Sequence, residues 1–413
     1  MLEAYFDHAA AAPLLPEARE AMMPFLGDDF GNPTSLHSYG EKPRAALEAA
    51  RASVARLINS RPDDIVLAAS GSEANNHAIK GFALSQAAKG KHILVSAIEH
   101  VSVLEPARSL KKLGFELTEL PVDREGVVAS DALAAAIRPD TILVSVMHAN
   151  YEVGTVQNVK ELARIAHERK VPFHSDGTAA VGRLPVDVID LGVDAYSFPA
   201  QSVYGPKGAA ALYLKRNTRI QSLIEGGIQE RNRRAGTENV PAIAGFGAAA
   251  EVTMEHLTEW SGRMTALAAR IVKELPPRLE RLVFTGSMTS RIPGHVSVCV
   301  EFVEGEGMLL FLDDEGIAAA SGSACTAKTL KASHVLLAMG LPHSLAQTSL
   351  VLTLGKDSTD AAVTHFLDKL PPIIKRLRAM SPLYAKFVKG EDPYATGPGE
   401  NCEDDHHHTQ EES

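Results

Sequence analysis

The stretch Ile65-Val66-Leu67-Ala68-Ala69-Ser70-Gly71-Ser72-Glu73 decides the fold, because an apolar strand runs through a turn of small residues into a helix. The helix is predicted over residues 74–84. Free backbone N–H groups at such a turn can receive a phosphate. Small residues at a strand-to-helix turn serve tight packing as readily, so Gly71 and Ser72 alone do not assign a site.

The order of strand, polar turn and helix recurs downstream. Further strands are predicted at 92–96, 141–146 and 171–174, and a helix at 159–169. Alternating strands and helices predict an α/β fold with a mostly parallel, doubly wound sheet. Ligands of such sheets bind beyond the carboxyl ends of the strands. Four polar residues are predicted to meet there: Ser72, His100, Asn150 and Asp176.

Two of these residues carry distinct chemical hypotheses. Asp176 follows an apolar strand, so its carboxylate is placed to pair with a cationic ring nitrogen, and a helix N-cap is the alternative. His100 is a candidate to stack on a ligand or to protonate it, and a hydrogen-bonded surface histidine is the alternative. Neither residue settles the site by itself.

The hydrophobic pattern divides the 413 residues into four parts. Residues 1–15 are predicted to form an N-terminal arm and residues 16–255 a large α/β domain. A long amphipathic helix and an alternating strand then predict a smaller α+β domain over 256–389. Residues 390–413 are polar and rich in acid and histidine, so we expect disorder.

Composition excludes several classes of function. The formal charge of −10 removes the attraction to phosphate backbones that nonspecific nucleic-acid binding requires. No apolar run is long enough to span a bilayer and the N-terminus has no signal-peptide pattern, so we expect a cytoplasmic protein without membrane partners. Three cysteines, Cys299, Cys325 and Cys402, are too few for a disulfide framework.

A series of longer motifs runs through the chain. They are Asp7-His8-Ala9-Ala10-Ala11-Ala12-Pro13, Phe30-Gly31-Asn32-Pro33-Thr34-Ser35-Leu36-His37, Met147-His148-Ala149-Asn150-Tyr151-Glu152-Val153-Gly154, Tyr204-Gly205-Pro206-Lys207-Gly208, Arg234-Ala235-Gly236-Thr237-Glu238-Asn239 and Ser321-Gly322-Ser323-Ala324-Cys325-Thr326. From about residue 5 to residue 388 the chain resembles the cysteine desulfurases of the class V aminotransferase group.

The resemblance implies a fold-type I pyridoxal phosphate (PLP) transferase architecture and a homodimer with both sites at its interface. The implied cofactor contacts are Asp176 at the pyridine nitrogen, His100 stacked on the ring, Asn150 at the ring hydroxyl, Gly71 and Ser72 at the phosphate, and Thr237 at the phosphate of the neighbouring subunit.

Cys325 matches the loop cysteine that takes sulfur from substrate cysteine and carries it as a persulfide to an acceptor. This chemistry needs an accessible thiolate, and a loop of Gly, Ser and Ala supplies the freedom. A small buried hydrophobe is the alternative for an isolated cysteine. Cys325 is also a candidate ligand of an iron–sulfur cluster that forms on a docked scaffold protein.

The sequence departs from the family at the position of its essential lysine. In Ser197-Phe198-Pro199-Ala200-Gln201-Ser202, Ser202 stands where the family has the lysine that forms the Schiff base with PLP. A hydroxyl cannot form an imine, and the site also loses the base that moves the substrate's Cα proton. Lys207 is a poor substitute, because the family has a lysine there as well.

Further departures affect the cofactor and substrate contacts. Pro199, Gln201 and Ala179 replace residues that touch the phosphate or the ring hydroxyl in the family. Val351 replaces an arginine that binds the substrate carboxylate, and valine offers nothing to that anion. PLP binding is therefore expected to be weak or absent, and PLP-dependent desulfuration impaired.

Three functional hypotheses follow. The first is a protein of sulfur transfer or iron–sulfur cluster assembly in which Cys325 receives sulfur from sulfide or from another protein. The second is a non-catalytic partner that dimerises with a competent relative or holds an iron–sulfur scaffold or sulfur-acceptor protein. The third is a PLP enzyme with non-covalently bound cofactor.

Two features lie outside these hypotheses. The tail Cys402-Glu403-Asp404-Asp405-His406-His407-His408 has ligand types without the spacing of a zinc site, so a solvated acidic tail is favoured over metal scavenging. Cys299 alternates with apolar strand residues, which predicts a structural packing role.

Overall fold

The computed structural model describes residues 4–322 and 332–393. Its strands are β1 Ala4–Tyr5, β2 Ile65–Ala68, β3 His92–Ser96, β4 Glu116–Leu120, β5 Thr141–Ser145, β6 Phe173–Asp176, β7 Ala195–Pro199, β8 Ala210–Leu214, β9 Leu282–Phe284, β10 His295–Val300, β11 Ile317–Ala318 and β12 Ser349–Thr353.

Helices connect these strands and cover them. They are α1 Pro16–Met22, α2 Glu41–Leu57, α3 Gly71–Gln86, α4 Val101–Ser109, α5 Ser130–Ala136, α6 Val159–Glu168, α7 Val188–Leu191, α8 Gln229–Asn232, α9 Val240–Glu274, α10 Gly305–Asp314, α11 His334–Ala338, α12 His343–Ala346, α13 Asp360–Ala379 and α14 Pro382–Val388. None of the helices in the described part of the chain combines the length and the apolar character needed to traverse a bilayer.

The main sheet has seven strands in the order β2-β8-β7-β6-β5-β3-β4 within the described residues. Strand β8 runs antiparallel to both of its neighbours, and the other pairs are parallel. Helices α3 and α4 pack on one face of the sheet, and α2, α6 and α9 pack on the other. The predicted α/β fold with a mostly parallel, doubly wound sheet is confirmed.

The carboxyl-terminal part is built on a second, antiparallel sheet. Its order is β12-β10-β9, and α9 and α10 pack against it. The N-terminal strand β1 pairs with β11, and Thr353 at the end of β12 donates its backbone N–H to the Phe6 carbonyl at 2.7 Å. The first residues are therefore held by the carboxyl-terminal part. Helix α9 runs through the proposed domain boundary at 255, and the four-part division stays a prediction.

Element boundaries differ from the predicted ones where a cap or a proline decides them. Helix α3 begins at Gly71 and not at 74, because the Ser70 hydroxyl accepts the Glu73 N–H at 3.1 Å and thereby caps the first turn. Strand β6 begins after Pro172, which has no N–H for the ladder, and ends at Asp176. The carboxylate of Asp176 therefore lies at the strand's carboxyl end.

Candidate active site

A cavity of about 590 Å³ lies beyond the carboxyl ends of the strands of the main sheet. The predicted residues Gly71, Ser72, His100 and Asp176 line it. The substituted positions Ala179, Pro199, Gln201 and Val351 line it as well. The fold therefore brings most of the residues singled out by the sequence to one site.

Asp176 is buried at the cavity wall with both carboxyl oxygens engaged. Its Oδ2 accepts a hydrogen bond from the Asn75 Nδ2 at 2.7 Å, and its Oδ1 accepts from the Thr178 backbone N–H at 2.9 Å. Asp176 does not cap a helix. Each oxygen keeps a second lone pair, so the carboxylate can still accept a hydrogen bond from a protonated ring nitrogen.

A chain of buried hydrogen bonds orients Asn75 from behind. The Ser197 hydroxyl donates to the Asn75 Oδ1, and Ser197 Oγ lies 3.1 Å from His174 Nε2. Because the Ser197 hydroxyl donates its proton to Asn75, His174 Nε2 must be the donor in its bond with Ser197. The His174 Nδ1 then accepts a hydrogen bond from Ser145 Oγ at 2.8 Å. Burial lowers the pKa of His174 to about 4, so the ring stays neutral.

The same asparagine reaches His100 through Ser102. Asn75 Nδ2 donates to Ser102 Oγ at 2.9 Å, and Ser102 Oγ lies 2.7 Å from His100 Nδ1. The Ser102 backbone N–H also donates to Nδ1, at 3.1 Å, which makes His100 the N-cap of α4. Because Nδ1 accepts these bonds, the neutral ring carries its proton on Nε2, the nitrogen left for a ligand. His100 also contacts the Tyr151 ring edge to face, with centroids 5.3 Å apart.

Asn150 does not reach the cavity. Its side chain is fully buried, and the amide nitrogen donates to the Ile98 carbonyl at 2.9 Å. The amide oxygen accepts from the backbone N–H groups of Glu152 and Val153 at 2.8 and 2.9 Å. These bonds close the turn after β5, and this use of the amide competes with the implied contact to a ring hydroxyl.

Ser202 does not line the main cavity and lies beside it. It lies in a short 3₁₀ helix, Ala200–Val203, that follows β7. Its hydroxyl donates to the Thr178 carbonyl at 2.7 Å, and its side chain lines a neighbouring cavity of about 40 Å³. The hydroxyl therefore serves a backbone contact.

The polar groups at the start of α3 divide between capping and the cavity. The Glu73 carboxylate accepts the Ala69 N–H at 3.0 Å and pairs with Arg234 at 2.9 Å. Ser72 and Lys207 line the cavity. Lys207 supplies the one lysine or arginine side chain among the described residues of the cavity wall. These residues could hold a phosphate at the positive end of a 16-residue helix.

Another part of the wall carries carboxyl groups. Glu152 is only 2% exposed, and neither of its carboxyl oxygens has a hydrogen-bond partner among the described residues. Burial raises the pKa of Glu152 to about 8; the nearby Ser333 hydroxyl offsets a part of that rise without forming a well-aligned bond. Asp7 lines the same cavity, and its Oδ1 is also buried without a partner in the described part of the chain. The sequence does not single out either residue, because burial without partners leaves no sequence signal.

Gly322 packs directly on Glu152. A Cβ at position 322 would overlap the Glu152 carboxyl group, so a larger residue there requires the Glu152 side chain to move. The Gly322 backbone N–H donates to Ser349 Oγ at 3.0 Å, beside Val351 on β12. The candidate sulfur carrier Cys325 lies outside the described residues, as do Cys402 and the tail histidines. Cys299 is fully buried, and burial raises the pKa of its thiol to about 12.

Thr237 is exposed and lies away from the cavity of its own chain. The preceding segment is anchored by a buried ion pair between Arg51 and Glu230, with oxygen–nitrogen distances of 2.6 and 2.7 Å. Glu230 also accepts the Leu67 N–H at 2.9 Å. Glu230 and Arg231 both have positive φ, of 46° and 57°, so the ion pair holds a strained backbone.

Comparison with known proteins agrees with this architecture. The family model described as aminotransferase class-V matches residues 4–356. A curated relative, the cysteine desulfurase IscS of Dictyoglomus turgidum, is 46% identical over 380 residues, covering 92% of this chain and 96% of the relative. The cysteine desulfurase IscS 1 of Archaeoglobus fulgidus is 46% identical over 382 residues, covering 92% and 100%.

Solved structures give the same result. A NifS-like protein matches with a TM-score of 0.86 and 32% identity, covering 91% of this chain and 100% of that chain. A structure described as SspA in complex with cysteine matches with a TM-score of 0.76 and 33% identity, covering 86% and 100%.

Proposed function

Because the chain belongs to the IscS cysteine desulfurase family within aminotransferase class V, we propose that it is a sulfur-transfer protein of iron–sulfur cluster assembly in which PLP-dependent desulfuration of free cysteine is impaired. Cys325 is the proposed persulfide carrier. The observation that carries the proposal is Ser202, whose hydroxyl is bound to the Thr178 carbonyl at the position implied to hold the family's lysine.

The cavity residues fit a PLP that is held without a covalent bond. Asp176 would accept the pyridine N–H, His100 would lie at the ring, and Gly71, Ser72 and Lys207 would hold the phosphate. When bound, the cofactor supplies a ring that withdraws electrons from a substrate carbon. Residue 202 offers no amine. The chain therefore has no group at this position that could bind the cofactor covalently or remove a proton from the substrate carbon. Weak PLP binding is therefore part of the proposal.

Sulfur transfer through Cys325 needs no cofactor. The Cys325 thiolate attacks the outer sulfur of a donor persulfide, a new S–S bond forms, and the donor's S–S bond breaks to release the donor thiolate. The number of thiolates and of S–S bonds is unchanged, so no oxidant is required. The persulfide then passes to an iron–sulfur scaffold or another acceptor by the same exchange, or the thiolate ligates the growing cluster there.

The test uses the purified full chain and a persulfidated donor protein. Mass analysis should find one added sulfur at Cys325, and Cys325→Ala should remove it. Cys299→Ala is the matched control, because the buried Cys299 thiol is not expected to take part. Unchanged labelling in Cys325→Ala would exclude the carrier role. Rapid release of sulfide and alanine from free cysteine with added PLP would exclude the impairment.

A second candidate is a non-catalytic subunit that pairs with a competent relative. Large apolar side chains before α2 favour it, since Phe30, Leu36 and Tyr39 are 72%, 96% and 62% exposed in the isolated chain. Thr237 is exposed and would serve the site of the other subunit. Co-purification distinguishes the two candidates. A strict homodimer that binds no assembly protein would exclude the second candidate. Cytoplasmic location remains part of both proposals.

A further inference from the structure

The cavity is chemically divided. One part of its wall is formed by helix α3 and Lys207. Another part, which we call the acidic end, is formed by Asp7, Glu152, Ala320, Gly322 and Val351. Strand pairing brings the acidic end together. Ala320 pairs with Val351 and Asp7 with Thr353, both on β12, and Gly322 packs on Glu152.

The acidic end holds buried carboxyl oxygens that lack partners. Within residues 4–322 and 332–393, one oxygen of Asp7 and two of Glu152 have no hydrogen-bond partner. No lysine or arginine of the described residues lines this end, and Val351, Ala320 and Gly322 present only apolar groups or backbone. A buried acceptor that has lost water and found no partner raises the free energy of the empty site. A ligand that brings N–H donors would relieve this cost.

We propose that the acidic end receives the amine of a small aminothiol that has no carboxylate beside that amine, so the cavity takes ligands of the 2-aminoethanethiol class in preference to α-amino acids. This rests on the proposed function, in which free cysteine is not the working substrate. A carboxylate one carbon from the amine would lie among Glu152, Asp7 and the Val351 side chain. Among the described residues it would find no lysine or arginine there to pair with, and it would lie beside two acidic side chains.

Binding of such an amine has a signature in protons. Near pH 6.5 the ligand amine is protonated in solution, because an alkyl amine has a pKa of roughly 10. Burial raises the pKa of Glu152 to about 8, so its carboxyl group is protonated in the empty site. The bound pair holds one proton fewer, whether as ammonium with carboxylate or as amine with carboxylic acid. One proton is therefore released for each ligand bound.

The experiment compares three thiols of similar size by titration calorimetry. The ligands are 2-aminoethanethiol, L-cysteine and 3-mercaptopropionate, and the protein is the full chain with Cys325→Ser, so that no sulfur chemistry follows. We expect 2-aminoethanethiol to bind at least about tenfold more tightly than the other two. Titrations in two buffers of different ionisation enthalpy should show proton release. Equal or reversed affinities overturn the proposal, and so does the absence of binding by all three.

Variants assign the effect to the acidic end. Glu152→Gln should lose the proton release and at least about tenfold in affinity for the amine, and Asp7→Asn should weaken binding less, because one Asp7 oxygen is buried without a partner. Glu255→Gln, on the exposed face of α9, is the matched control. Unfolding curves establish that each variant is folded. Proton release that persists in folded Glu152→Gln overturns the assignment.

The outcome is separable from that of the proposed function. Persulfide transfer to Cys325 is measured by mass analysis on the chain with its native cysteine, and amine binding is measured by heat on Cys325→Ser. Loss of amine preference with intact transfer rejects only the ligand class. Amine binding with failed transfer rejects only the carrier role.

Discussion

The Asn75 side chain donates to the Asp176 carboxylate at 2.7 Å and accepts from Ser197 through its other end. Asn75 also donates to Ser102, which contacts His100. One asparagine on α3 therefore fixes both polar groups that the resemblance assigns to the cofactor ring. Its position is sensitive because every donor and acceptor around it is buried or partly buried.

Replacing Asn75 should destabilise the protein and loosen the cavity. Asn75→Ala leaves Ser197 and Asp176 each without one buried partner, and such losses cost roughly 1–3 kcal/mol. Denaturant unfolding measures the change, and quenching of protein fluorescence by added PLP measures the weaker binding. Asn76→Ala is the control on the same helix, since Asn76 is half-buried and, among the described residues, its side chain bonds only the Ser72 carbonyl. Equal effects of the two substitutions would contradict the role of Asn75.

Position 202 should decide covalent attachment of PLP. Borohydride reduction of the native chain with PLP should leave no adduct at Lys207, although Lys207 lines the cavity. Ser202→Lys should give one adduct at residue 202, at the cost of the bond to the Thr178 carbonyl. Peptide mass analysis locates the adduct, and Lys207→Arg serves as the control. An adduct at Lys207 in the native chain would show that this lysine has taken over.

The part of the stability that Glu99 and Glu152 contribute should fall as the pH rises from about 4.5 to about 8. Burial raises the pKa of both Glu99 and Glu152 from 4.5 to about 8. In that window the native state retains protons that the unfolded chain has released, so the stabilisation present below pH 4.5 is lost progressively. Each pKa unit corresponds to about 1.4 kcal/mol.

The matching variants are Glu99→Gln and Glu152→Gln. Each should make the unfolding free energy fall less steeply between about pH 6.5 and about 8, above the ordinary pKa of the buried histidines, and should raise stability at pH 9 relative to the native chain. Glu255→Gln changes an exposed carboxyl and should leave the slope unaltered. A slope that is the same in all four proteins would show that neither buried carboxyl keeps its proton.

The buried pair Arg51–Glu230 should be intolerant of single changes. Glu230→Gln leaves the buried Arg51 guanidinium with only the half-exposed Glu48 carboxylate, at 3.3 Å, and breaking a buried pair costs roughly 3–5 kcal/mol. The exposed pair Lys160–Asp190, with side chains 64% and 60% exposed, is the comparison. Lys160→Met should change the unfolding free energy by less than about 1 kcal/mol. A small effect of Glu230→Gln would show that the strained backbone at 230–231 is held by other contacts.

Much of the fold was predictable because it depends on local patterns. The apolar runs at 65–68 and 92–96 became β2 and β3 at the predicted residues. Ser72, His100 and Asp176 follow the strands of a mostly parallel sheet, whose carboxyl ends meet at one edge, and all three line one cavity. The boundary errors at α3 and β6 arose where a side-chain cap and a proline decided the ends.

Other features of the site depend on neighbours that are distant in sequence. Asn150 was predicted to contact the cofactor, and in the structure its amide oxygen accepts hydrogen bonds from the backbone of the turn at 150–153. Asn75, Ser197 and Ser102 come from three separate elements and gain their role only by meeting. Glu152 carries no sequence signal, because its lack of partners is a property of the folded surroundings.

The sequence by itself determined the family, the order of strands and helices, and the presence of serine at 202 and valine at 351, because these follow from residue identity and local pattern. Only the tertiary structure decided which polar groups are satisfied. Hydrogen bonding and desolvation depend on what surrounds a group in space, so the orientation of Asn75, the burial of Asn150 and the unpartnered carboxyl of Glu152 appear only after folding.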